Sequence, residues 1–283
     1  MKILITGARG QLGQELMMQL SQKSVDLLGP TSHEMDISKI DSVKTVFEAF
    51  KPDVVIHCAA YNQVDRAESE PKACRAVNVT GTGNIAELSK AFGAYLLSVS
   101  SDYVFDGEKD GEYETDDIKH PLSVYGTSKS DGEDLVLAAS RENAVIRTAW
   151  LFGNSNHNFV EAIIRNGKKT DCLSVVSDQI GNPTYARDLA TLIVAAVQKR
   201  IPGIYHGTNE GWCSRAQFAQ AILTLSGIAC SVKETETIWK PGLAKRPKNS
   251  CLSKACLDRA GLERLPQWQD ALSCYLEQRS KLR

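Results

Sequence analysis

Three groups of residues have the types and spacing for redox chemistry on a carbonyl. Gly7-Ala8-Arg9-Gly10-Gln11-Leu12-Gly13 is a Gly-x-x-Gly-x-x-Gly turn between a short apolar run and a helical pattern. Glycine there allows a tight turn, close approach of backbone amides to a pyrophosphate, and close helix–strand packing. The N-terminus of the next helix then offers unpaired N–H groups and a favourable dipole to an anion. Tyr125 and Lys129 stand four apart and share a face if their segment is helical. A phenol titrates near ~10 and is a poor acid–base group at neutral pH. A neighbouring ammonium lowers that value, and the same lysine can hold a cofactor ribose. Ser100 and Ser101 close an apolar run, where a hydroxyl can bond a substrate carbonyl beside Tyr125. Each group alone is common in turns, helices and caps. Their order along the chain places all three at one sheet edge, and the conjunction carries the reading. The next strand ends Leu28-Gly29-Pro30-Thr31-Ser32, without an acid for a ribose 2′-hydroxyl. Arg9 can meet a 2′-phosphate, so NADPH is expected ahead of NADH, with NADH left open.

The elements needed to position these groups are legible. Apolar runs at 2–6, 25–28, 54–58, 95–100 and 144–147 alternate with helical patterns at 11–20, 40–50, 71–92 and 124–140. Such alternation implies right-handed crossovers and a parallel sheet with helices on both faces, whose ligands sit at the carboxyl ends of the strands. The expected fold class is α/β: a Rossmann-like doubly wound parallel sheet with a smaller C-terminal α+β substrate-binding lobe. Residues 1–155, completed by 172–200, are assigned to the dinucleotide-binding part. Residues 201–283, with 156–171, are assigned to the lobe.

Composition excludes other classes. The 283 residues carry 33 Lys plus Arg against 34 Asp plus Glu, a net charge of −1, and 42% are hydrophobic. Disorder, a nucleic-acid partner and an anionic membrane surface are not expected, and no apolar run approaches a membrane span. The first strand runs straight into Gly7, unlike a secretory signal, so a cytoplasmic location is expected. The eight cysteines form no Cys-x-x-Cys pair and read as free thiols. No metal-ligand cluster stands out. Residues 106–119 hold seven acids and two lysines, and read as a solvated loop. Residues 240–257 hold Lys240, Lys245, Arg246, Lys248 and Lys254 with no acid, and offer a site for an anionic substrate group.

The glycine loop, strand-end serines and Tyr/Lys pair resemble the short-chain dehydrogenase/reductases. Further stretches narrow the resemblance to the dTDP-4-dehydrorhamnose reductase family and cover nearly the whole chain. They include Met35-Asp36-Ile37, His57-Cys-Ala-Ala-Tyr61, Val64-Asp65-Arg66-Ala67-Glu68, Ser101-Asp-Tyr-Val-Phe105, Arg147-Thr-Ala-Trp-Leu151, Asp178-Gln-Ile-Gly-Asn-Pro-Thr-Tyr185 and Arg246-Pro247.

The resemblance implies NAD(P)H-dependent reduction of the 4-keto group of a nucleotide-linked deoxysugar, serving surface or spore-coat polysaccharide. It implies Tyr125 as proton donor, Lys129 as pKa modulator and ribose ligand, and Ser101, where the family more often has Thr, as carbonyl ligand. Gly7, Arg9, Gly10, Gln11, Leu12, Gly13 and Ser100 would contact the cofactor. Asp36 and Ile37 would line its adenine site, and Ala59, Ala60 and Tyr61 would border its nicotinamide. Val64, Asp102, Tyr103 and Trp150 would line the substrate pocket, with Arg246 on the diphosphate. Two departures stand out: Asn62 where the family often has Thr, and Arg215-Ala216 where it often has Trp and an aromatic. The second is expected to affect lobe packing. Other sugar-nucleotide epimerases or dehydratases, and a catalytically silent regulatory subunit like that of methionine adenosyltransferase, are the competing readings. A homodimer is left open.

Overall fold

Alternate residues of the early apolar runs bury on opposite faces, which dictates a sheet covered on both sides. The computed structural model describes residues 1–155 and 158–281. In it β1 (Lys2–Thr6), β2 (Asp26–Leu28), β3 (Val54–His57), β4 (Tyr95–Ser101) and β5 (Ala144–Thr148) form one parallel sheet with the strand Gly203–His206. The spatial order is 2-1-3-4-5, with Gly203–His206 outside β5. Ile3, Ile5, Val54, Ile56, Leu97 and Ile146 pack with α1 (Gln11–Ser21) and the helix Ala186–Lys199. Leu4, Val55, Leu96 and Val145 pack on the other face with α2 (Ile40–Phe50) and the helices Thr82–Ala91 and Val124–Ala139. All ten are fully buried, each worth roughly 1.5–3 kcal/mol of transfer free energy. The strand order reverses between β1 and β3, so the ligand crevice opens there, beyond the strand ends.

The sheet and lobe divide the chain differently from the sequence expectation. Cys172–Val176, assigned to the sheet, pairs instead with Ser231–Thr235 in a separate two-stranded sheet. Gly203–His206, assigned to the lobe, is the sixth strand of the main sheet. Cys256, Leu257, Leu262 and Leu265 also return to pack against that sheet. Strand patterning shows that a segment is extended but not which edge it pairs with. The unpaired edge of β5 is what recruits the later strand. Around Phe152, Phe218 and Trp268 a second core holds the lobe. Residues 156, 157, 282 and 283, at the margins of the assigned lobe, lie outside the described residues. Residues 71–92, expected as one helix, are Pro71–Arg75, a π-helical stretch Ala76–Gly81, and Thr82–Ala91. The wide turns there hold Asn78, whose amide accepts from Tyr61 N (2.8 Å) and donates to Ser128 Oγ (2.9 Å); the apolar pattern does not register that demand.

The acidic loop is not simply solvated, because it docks on the basic segment. Tyr113 N donates to Cys251 O and Ser253 N to Tyr113 O, both at 2.8 Å. Asn249 Nδ2 donates to the carbonyls of Lys109 and Gly111, and Lys254 pairs with Glu112 at 3.0 Å. These hydrogen bonds and one ion pair join the two charged tracts.

One ion pair fixes the long helix against the sheet. Arg147 on β5 and Glu133 on the helix Val124–Ala139 have side chains only 1% exposed. Their contact is two-pronged, Nε–Oε1 at 2.9 Å and Nη2–Oε2 at 2.8 Å. Arg147 also donates to Thr115 O and lies 5.0 Å from the Phe105 ring centroid. Removing one member of such a pair strands a charge in the core. Glu133→Leu is expected to cost about 3–5 kcal/mol, read from the urea unfolding midpoint. Glu133→Leu combined with Arg147→Met should recover most of that loss.

Candidate active site

The site assembles where β1, β3, β4 and β5 end. Gly7 has φ of +67°, and a Cβ there would lie 2.7 Å from Ala59 N. A Cβ on Gly13 would lie 2.2 Å from Gly7 O. Both positions therefore admit only glycine, and the turn brings α1 end-on to the crevice. The first turn of α1 carries no acid, and its cap residue Gly10 makes no side-chain cap bond. That leaves the helix N-terminus available to an anion.

His57, at the end of β3, fixes the floor. It is fully buried between Thr6 Oγ1 (2.7 Å from Nδ1) and Thr82 Oγ1 (3.0 Å from Nε2). Burial, with a contribution from Lys129, holds its pKa down to about 3, so the ring is neutral. Thr6 Oγ1 also accepts Ala59 N–H at 3.1 Å, which sets the loop after β3.

The helix Val124–Ala139 presents Tyr125 and Lys129 on one face, as their spacing requires. Its N-cap Ser123 accepts from Gly126 N at 3.1 Å. Lys129 Nζ donates to Val99 O on β4 at 2.8 Å. Burial pushes its pKa down from 10.5 to about 8, against the opposing charge of Glu133. Burial raises the Tyr125 phenol above its usual range, Ser101 opposes it by hydrogen bonding, and Asp102 and Tyr103 add to the rise. The resting phenol thus holds its proton. Ser101 Oγ donates to Asp102 Oδ1 at 2.8 Å. Asp102 is itself buried, and desolvation raises its pKa. Tyr103 meets Tyr125 edge-on, ring centroids 5.5 Å apart.

A cleft of about 370 Å³ joins these groups. It is lined by Gly7, Gly10, Gln11, Leu12, Gly13, Ala60, Val64, Ser100, Ser101, Asp102, Tyr103, Tyr125, Lys129 and Trp150. Six sequence candidates stand outside that lining. Arg9 is exposed on the glycine loop. Asp36 bonds Ser38 at 2.6 Å, and Ile37 is buried against Gly81. Ala59 closes on Gly7, and the Tyr61 hydroxyl donates to Glu70 at 3.0 Å. Arg246 makes a two-pronged pair with Asp65 at 3.0 and 2.8 Å. An acid absent from the end of β2 itself reaches it from Glu34, which accepts from Thr31 N and Oγ1 at 2.7 and 2.9 Å with Arg9 near enough to act on it.

The structure adds residues that spacing did not single out. Asn62, Thr148, Asn158, Phe159 and Arg215 line the same cleft. Arg215, expected to affect lobe packing, lies with its Cζ 3.6 Å from the Trp150 ring centroid. Trp150 itself has φ of +45°, a backbone region costly for a bulky side chain and typical of functional sites. Asn158 caps the helix Phe159–Gly167 and donates to Gln11 Oε1 at 3.2 Å, joining lobe to glycine loop. Within the cleft Ser100 Oγ, Thr148 Oγ1 and one carboxylate oxygen of Asp102, Oδ2, are buried without a hydrogen-bond partner. Buried hydroxyls are normally satisfied. Together with the glycine turn and the open helix end, the two unpartnered hydroxyls fit a polar dinucleotide laid across the strand ends. Among the described residues no group of His, Cys, Asp and Glu could hold a metal, and no helix is long and apolar enough to cross a membrane.

The RmlD substrate binding domain family matches residues 1–280. The chain is 41% identical to the dTDP-4-dehydrorhamnose reductase of Aggregatibacter actinomycetemcomitans, over 96% of this chain and 97% of that one. The crystal structure of a dTDP-4-dehydrorhamnose reductase from Clostridium acetobutylicum superposes with a TM-score of 0.96 at 38% identity, covering 99% of this chain and all of that one. A Bacillus anthracis dTDP-4-dehydrorhamnose reductase in complex with NADP gives 0.94 at 35% identity, covering 98% and 99%.

Burying Lys129 penalises the fold. The unfolded lysine keeps its proton up to pH 10.5 and the folded one only to about 8. The penalty is therefore complete below pH 8, roughly 3 kcal/mol, and fades as pH rises toward 10.5. Lys129→Met should raise the thermal midpoint at pH 7, and the gain over wild type should shrink between pH 8 and 10.5, read by calorimetry across pH.

Proposed function

The chain belongs to the dTDP-4-dehydrorhamnose reductase family, and we propose that it reduces the 4-keto group of dTDP-4-dehydro-L-rhamnose to dTDP-L-rhamnose with NAD(P)H. The product would serve polysaccharide biosynthesis in the cytoplasm. The observation that carries this reading is the meeting of Tyr125, Ser101 and Lys129 in the cleft lined by the glycine loop.

Gly7, Gly10 and Gly13 would receive the cofactor pyrophosphate at the N-terminus of α1, and Ser100 and Thr148 would satisfy its polar edge from below. The bound nicotinamide supplies the hydride that adds to the keto carbon. Tyr125 delivers the phenolic proton to the oxygen as it becomes an alkoxide. Burial keeps the phenol protonated at rest but makes it a weaker acid, with no lowering by Lys129 in the resting site, so donation depends on stabilising the phenolate that forms. Ser101 turns its hydroxyl from Asp102 toward the same oxygen and stabilises the developing charge. Lys129, anchored on Val99 O, keeps a cation near the phenolate left behind and within reach of the ribose. Hydride plus proton converts ketone to alcohol, and each turnover leaves one cofactor oxidised. At the rim Arg9 favours a 2′-phosphate, while Glu34 beside it tempers the preference for NADPH over NADH.

Tyr125→Phe removes the proton donor and keeps the ring. Its turnover, followed as NADPH oxidation with dTDP-4-dehydro-L-rhamnose, should drop by roughly 100- to 10,000-fold. Near-wild-type turnover would refute the role of Tyr125. Wild-type protein that converts sugar nucleotides without net NADPH oxidation would be an epimerase instead.

A further inference from the structure

We propose that Arg215 is the cation that holds the diphosphate of the nucleotide-sugar substrate. The inference rests on the reaction just described and adds a specificity-determining residue to it.

Arg215 is the first residue of the helix Arg215–Leu225, immediately after the capping box of Ser214 and Gln217. A cation is unfavourable at the positive end of a helix. Its backbone N–H is used, donating to Gln179 O at 3.1 Å. The guanidinium is sandwiched, with its Cζ 3.6 Å from the Trp150 ring centroid and 5.1 Å from that of Phe159. Stacking occupies the faces of the guanidinium, but its N–H bonds lie in the plane. Among the described residues none accepts a hydrogen bond from it, and no carboxylate pairs with it. Its five donors are therefore unspent, on the wall of the cleft that holds Tyr125.

The surroundings make the lack of a counter-ion sharper. Arg246 is close enough to repel Arg215 and is itself neutralised by Asp65. Lys254 of the same basic segment is neutralised by Glu112. Asp102 acts on Arg215 without a hydrogen bond to it: its Oδ1 accepts from Ser101, and its buried Oδ2 has no partner. An anion presenting two oxygens to the guanidinium fork would satisfy its in-plane donors. A substrate with its keto carbon at Tyr125 carries such an anion in its diphosphate, and Arg215 lines the same cleft. Trp150 accordingly serves as the plate that orients Arg215, which accounts for its costly backbone.

The experiment is calorimetric titration of the NADP-loaded protein with dTDP and, separately, with thymidine. For wild type, Arg215→Gln and Arg215→Lys, NADPH oxidation is followed in parallel. Arg215→Gln should weaken dTDP roughly 10- to 100-fold and leave thymidine unchanged, since one charge-assisted contact is lost. Arg215→Lys should recover part of the loss. In turnover the effect should fall on KM, with kcat within a few-fold, because the contact is the same in ground and transition states. Equal weakening of dTDP and thymidine would assign Arg215 to packing and overturn the proposal, as would unchanged dTDP affinity in Arg215→Gln. Wild-type protein that binds dTDP through Arg215 but oxidises no NADPH with the keto-sugar would refute the reaction and leave the contact standing.

Discussion

The buried pair between Arg147 and Glu133 is the constraint on which the chemistry rests. It ties the helix Val124–Ala139 to β5, one helical turn beyond Lys129. The same carboxylate opposes the desolvation of Lys129 and so keeps a lysine protonatable in the core. With the helix fixed, Lys129 can reach across to Val99 O and Tyr125 can face Ser101. A surface pair of the same residues would be worth little. Here two parallel hydrogen bonds and near-complete burial make the geometry rigid.

The cleft shows a consistent electrostatic pattern around that fixed helix. Neutral groups line the floor: His57 is kept uncharged between two threonines, and Tyr125 retains its proton. Two cations of the basic segment are matched in pairs, Arg246 with Asp65 and Lys254 with Glu112. Unmatched within the cleft are two hydroxyls near the strand ends, one oxygen of the Asp102 carboxylate and one guanidinium on the lobe side. Polar capacity left unspent inside a protein is costly, and the unspent groups that share this cleft mark where a ligand completes the structure.

Much of this was legible in the sequence, for definite reasons. The period-two burial of Ile3, Leu4 and Ile5 announces a two-sided strand, and the glycines at 7 and 13 mark a turn no other residue can make. Tyr125 and Lys129 were readable because helical spacing alone places them together. Arg215 was visible as a departure, but its place in the cleft was not. Its neighbours Trp150 and Phe159 are brought to it by tertiary folding, across 65 and 56 residues. The pairing of Arg246 with Asp65 spans 181 residues. A local charge count could not show that Arg246 and Lys254 of the basic segment already have partners. The register of Gly203–His206 beside β5, rather than in the lobe, likewise depends on a contact that strand patterning does not encode.

That strand has a consequence for how such an enzyme could be retooled. The chain leaves the sheet after β5, builds part of the lobe, returns through Ala186–Lys199 and Gly203–His206, leaves again, and comes back once more with residues near Leu257. The substrate half is thus woven into the cofactor half rather than appended to it. Cutting it out would bare the edge of β5 and strip the helix that covers α1. It cannot be exchanged as a cassette between relatives, and the two halves must mature as a single cooperative unit with many long-range contacts to close. New sugar preferences in this architecture have to come from point changes on the cleft wall, within an inherited weave.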